Sequence, residues 1–159
     1  MRSHRVIASA CVAVATTLVA ARAQDHQHPT GGRLGTVHFE TYCAASARPV
    51  FDQAMALLHS SEFGPAIEGF SATLKIDPAC AMAHWAVAIA RWSNPFAATI
   101  RPPSQLQQGL EAIARARAAA PRTDRERAYI EAAAKLYEPP TNDQRGRVVA
   151  YEQAMAALA

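Results

Sequence analysis

Residues 77–96, DPACAMAHWAVAIARWSNPF, bring one cysteine, one histidine and two tryptophans into a single run. Thiolate and imidazole are common ligands for zinc and copper, and indole rings often wall ligand sites. Cys43 and the histidines His26, His28, His38 and His59 extend that inventory. None of them falls at a usual ligand spacing, since HExxH and paired CxxC motifs are absent. Trp85 and Trp92 are seven residues apart, two helical turns, and so share one helix face, which is core spacing. His59, beside Ser60 and Ser61, reads as a residue closing a helix. A sharper metal chemistry sits further upstream. Cleavage after Ala23 would leave Gln24-Asp25-His26 at the terminus, and a free amine with histidine third offers Cu(II) or Ni(II) a square-planar nitrogen set. Cyclisation of Gln24 would remove that amine. A periplasmic metal-binding protein using His26 and His28, or the Cys–His set, is therefore one alternative function, and a non-catalytic segment of a larger enzyme is another.

Catalytic signatures are lacking. GxSxG and phosphate-cradling glycine loops are absent, and the whole chain has seven glycines. Glu126, Glu131, Asp124 and Arg127, with Arg115, Arg117, Arg122 and Arg125, read as a solvated charged helix surface. No catalytic residue and no cofactor are implied.

The elements that position these residues begin with a leader. Arg2 and Arg5, the apolar run Val6 to Val19 and Ala21-Arg22-Ala23 make residues 1–23 a Sec-type signal peptide, too short in its apolar part for a membrane span. The expected location is periplasmic or secreted, without membrane attachment after cleavage. The chain has 16 Lys plus Arg against 13 Asp plus Glu. Three of those arginines lie in the leader, so 13 of each sign remain. A neutral mature chain has no electrostatic footprint for nucleic acid. With Cys11 also in the leader, Cys43 and Cys80 are left, and two cysteines in an exported protein read first as a disulfide.

Residues 24–45 form an arm, polar as far as Gly35 and then a short extended piece, TVHFETYC, lying along the helices that follow. From Ala44 the pattern turns helical, and residues 46–159 are expected to form one helical domain. Val50, Ala54, Leu57 and Leu58 recur at helical spacing, as do Ala66, Ile67, Phe70 and Leu74, and Asp77-Pro78 ends the second helix. Ala81 to Trp92 is the next helix, followed by a proline-rich stretch at 94–104. Val148, Tyr151, Met155 and Leu158 mark the last helix.

These helices repeat. Val50-x2-Gln53-Ala54-x2-Leu57, Ala66-x3-Phe70 and Pro78 fall in the register of a tetratricopeptide unit, with Gln53 in place of the usual leucine. Gly109-x3-Ile113 and Pro121 repeat the second half, and Tyr129-x2-Ala132-Ala133-x2-Leu136 opens a third unit. The chain resembles a tetratricopeptide repeat protein from about residue 46 onward. It is also similar to exported bacterial repeat proteins with a cysteine before the first pair and a DPxCAMAxW-type junction. The fold expected is all-α, a solenoid of about two and a half to three antiparallel helix pairs. Either His84 or Trp85 takes the leading aromatic position of the second unit. The resemblance implies a scaffold that binds a protein or peptide along the first helices, through Gln53, His84 and Arg91. Phe96, with Ile100 and Pro102-Pro103, gives the proline-rich stretch an apolar contact surface. The closing AMAALA lacks the polar outer face of a terminal unit, which suggests a longer array or self-association through the last helix.

Overall fold

The computed structural model describes residues 34–95, 97, 100–138 and 143–158. Among the described residues there are six α-helices and no strand: α1 (Arg48–His59), α2 (Phe63–Ile76), α3 (Ala81–Trp92), α4 (Pro103–Ala118), α5 (Asp124–Ala134) and α6 (Gln144–Ala156). The chain is all-α in these residues, as the periodicity predicts.

Local chemistry sets the boundaries. Prolines stand in the first turns of α1 and α4, where a missing N–H costs nothing. Pro78 helps to stop α2 at Ile76, because the residue before a proline is pushed out of the helical region. Thr123 accepts from the Glu126 N–H at 3.1 Å to start α5, and Asp143 accepts from the Gly146 N–H at 2.6 Å to start α6. The C-terminus of α3 is closed from outside. Arg101 donates to the Trp92 carbonyl at 2.8 Å with its guanidinium over the Trp92 ring, and Gln105 donates to the Arg91 carbonyl.

Each helix packs on the next, and α3 additionally touches α1 and α5. Phe51, Met55, Phe70, Met82, Ile113 and Ile130 are fully buried at the centre. Small residues decide the approach distances. A Cβ on Gly69 would fall 2.8 Å from the Cβ of Ala54, and one on Gly109 would fall 1.9 Å from the Tyr137 ring. Trp85 and Trp92 are both buried, so their shared face is core, as their spacing implies. Phe51 of α1 meets Phe70 of α2 with ring centroids 5.4 Å apart, both fully buried, while Leu57 is partly exposed. The last helix turns Val148 and Tyr151 onto the core and Arg145, Glu152 and Gln153 outward, with Val149 as its exposed large apolar side chain.

Candidate functional site

Residues 34–43 precede the helices as a strap that is neither helix nor strand. Its side chains alternate: Val37, Phe39, Thr41 and Cys43 turn inward, and Thr36, His38, Glu40 and Tyr42 turn out. That is the period of an extended chain, whose successive side chains point to opposite sides. The strap meets α1, α3 and α5. Phe39 stacks on Trp85 of α3 with centroids 5.5 Å apart, and lies 6.2 Å from Phe51 of α1 and 5.6 Å from Tyr129 of α5. The guanidinium of Arg125 covers this group, 5.4 Å from the Phe39 centroid and 5.0 Å from that of Tyr129, within reach of a cation–π attraction.

Carboxylates hold the strap's main chain. Asp52 of α1 accepts the Phe39 N–H at a long 3.5 Å and sits 3.5 Å from His38 Nδ1. Glu126 of α5, 6% exposed, accepts the Tyr42 N–H at 3.0 Å with one oxygen and the Arg122 N–H at 2.8 Å with the other. Asp77 takes the Ala44 N–H at 2.7 Å and the Ala79 N–H at 3.1 Å. Below these bonds the Cys43 and Cys80 sulfurs are within disulfide distance, with Cα atoms 4.7 Å apart, an ordinary separation for a bridge. The pairing read from the sequence is thus the one the fold brings together. Beside the strap lies an open cleft of about 630 Å³ lined by His38, Glu40, Tyr42, Arg48, Asp77 and Arg122. Two buried polar atoms here, Thr41 Oγ1 and Trp85 Nε1, have no hydrogen-bond partner among the described residues.

Gln53 is exposed on α1, next to Asp52. His84 is half-buried beside the Pro78 backbone and Arg115, and burial pushes its imidazole pKa below the ordinary value. Of the two residues that compete for the leading aromatic position, Trp85 is the one that faces Phe39. Arg91 lies elsewhere, in a shallow groove with Phe63, Ile67, Ser93 and Gln105. Phe96, His26 and His28 lie outside the described residues. Among the described residues, Cys43, Asp77 and Cys80 bring three ligand-type atoms within 4.8 Å of one another. The two sulfurs are at bonding distance from each other, and paired sulfurs do not offer the thiolates that a metal takes, so the trio reads as a disulfide beside a carboxylate that accepts two N–H groups.

The sequence reading missed Arg125 and Glu126. Both were expected on a solvated helix face, yet Glu126 is buried and Arg125 roofs the aromatic group. Asp124 and Arg127 do form the expected exposed ion pair. The available signal was Thr123-x-x-Glu126, a capping-box spacing that draws a glutamate inward at a helix start. No described helix is long and apolar enough to cross a membrane. Comparison of the chain with family models, with curated proteins and with solved structures finds no match.

Proposed function

We propose that the chain is an exported scaffold of tetratricopeptide-like helix pairs that binds a protein or peptide partner and performs no chemistry of its own. The observation that carries this reading is the strap: one extended segment is held by side chains of α1, α3 and α5 together. Three first helices that hold one extended chain are suited to holding another, which is how helical-repeat surfaces engage partners. The packing of each helix on the next, the contact of α3 with both α1 and α5, and the small residues Ala54 and Gly69 where α1 and α2 approach support the repeat reading. The leader-like residues 1–23 and the Cys43–Cys80 pair support export.

The test is site-directed photo-crosslinking in the exporting cell, with the reactive side chain at Gln53, at His84 and, as a control on α6, at Arg145. One partner trapped from Gln53 and His84 but not from Arg145 supports the reading. Trapping from none of the three, or equally from all, overturns it.

A further inference from the structure

We propose that the face made by α1, α3 and α5 is a binding site for an extended peptide centred on an aromatic side chain, and that the strap is its tethered occupant, displaced by a partner carrying such a segment. This rests on the scaffold reading above and gives that partner its chemistry.

The receptor groups read features that many peptides share. Asp52 and Glu126 accept main-chain N–H groups three residues apart, at Phe39 and Tyr42, and so are indifferent to the side chains there. Phe51, Trp85 and Tyr129 surround one ring, and Arg125 adds a cation over it. Val37 fills a second apolar position two residues earlier, where the alternation of an extended chain returns to the same side. The ligand implied is therefore an extended segment with an aliphatic residue two positions before an aromatic one. Main-chain bonds would give it affinity and alternate pockets its specificity, the usual division in recognition of extended peptides.

The strap itself is held lightly upstream of its covalent anchor. Residues 34–43 make no backbone–backbone hydrogen bond among the described residues. The Phe39 amide bond is long, Phe39 and Val37 are only partly buried, and Thr41 Oγ1 is left without a partner. Such a segment can peel from its N-terminal side as far as Cys43 while the bond to Cys80 keeps it attached. A tethered segment competes at an effective concentration on the order of millimolar. The site in the resting chain is thereby closed to weak ligands and open to strong ones.

The experiment uses the oxidised mature chain and a fluorescein-labelled synthetic peptide with the sequence of residues 35–42, GTVHFETY. Loosening the strap by Phe39→Ala is expected to tighten binding of this peptide at least about tenfold over the wild type. A control peptide with alanine for the phenylalanine is expected not to bind. Adding Arg125→Ala to the loosened chain is expected to weaken binding by about threefold. A folded Phe39→Ala chain that binds both peptides alike, or neither at about millimolar concentration, overturns the proposal. So does a Phe39→Ala chain that takes up the strap of an added wild-type copy, detected as a heterodimer, while ignoring the free peptide. Where circular dichroism shows Phe39→Ala unfolded, Phe39→Leu carries the same comparison with the same outcomes. Peptide binding with no partner trapped from Gln53, His84 or Arg145, or with equal trapping from all three, would sink the scaffold reading alone; a trapped partner without peptide binding would sink this one alone.

Discussion

Gly109 carries no side chain because Tyr137 occupies the space one would fill. On helix propensity alone, alanine at this position in α4 would be favoured by about 1 kcal/mol. Its Cβ would fall 1.9 Å from the Tyr137 ring, whose hydroxyl donates to the Ala88 carbonyl at 2.5 Å, so the ring and its bond must both move. Overpacking wins: Gly109→Ala is expected to destabilise the chain by about 1–3 kcal/mol, read by urea denaturation. His84 gives a pH dependence of definite sign. Burial lowers its pKa below the ordinary 6.5, so the unfolded imidazole takes up a proton that the folded one resists. Stability is then unaffected by this group above that value and falls as the pH drops below it. A pH series of melting midpoints in wild type and His84→Gln checks this, with the variant expected to lose part of the acid-side decline.

Among the elements, α5 does more than its composition suggests. Its first turn is charged, and a charged face on an alanine-rich helix reads as solvated. The strap's return across α5 is what buries Glu126, through a bond to Tyr42 that spans 84 residues of sequence. Removing that carboxylate orphans two N–H groups at once. Glu126→Ala is expected to cost about 1–3 kcal/mol and to speed hydrogen exchange at the Tyr42 and Arg122 amides, measured by NMR. A change confined to thermal stability, with both amides still protected, would refute this account of the strap's anchorage. The helices were largely legible from local signals, Asp77-Pro78 after α2 and the spacing of Ala66, Phe70 and Leu74. Pro103, expected in the loop, opens α4 instead, where its missing N–H is no loss. The extended strap was legible too, as a short segment lying along helices. What it rests on was not, because Phe39, Trp85, Tyr129 and Arg125 are far apart in sequence and no local pattern pairs them. The closing of α3 by Arg101 was hidden likewise, since an arginine in a proline-rich loop carries no signal that its guanidinium lies over Trp92.

At the scale of the whole molecule, one covalent link joins the strap to the helical body. Cys43 and Cys80 are separated by 37 residues, and closing a loop of that length restricts the unfolded chain enough to stabilise the fold by about 3–4 kcal/mol. Cys43→Ser with Cys80→Ser is expected to lower stability by roughly that amount in a denaturant titration. Near-wild-type stability in the double variant would mean that the reduced unfolded chain already keeps these segments together. The strap also sets a timetable. A chain made N-terminus first presents Phe39 early and most of the side chains that enclose it late, since Trp85, Arg125, Glu126 and Tyr129 all follow. Until α5 emerges, an aromatic residue has to travel uncovered, and the bond between Cys43 and Cys80 can form well before the contacts around Phe39 are complete. The first described segment to appear thus waits until α5 has followed, which leaves Phe39 open to a chaperone over that interval.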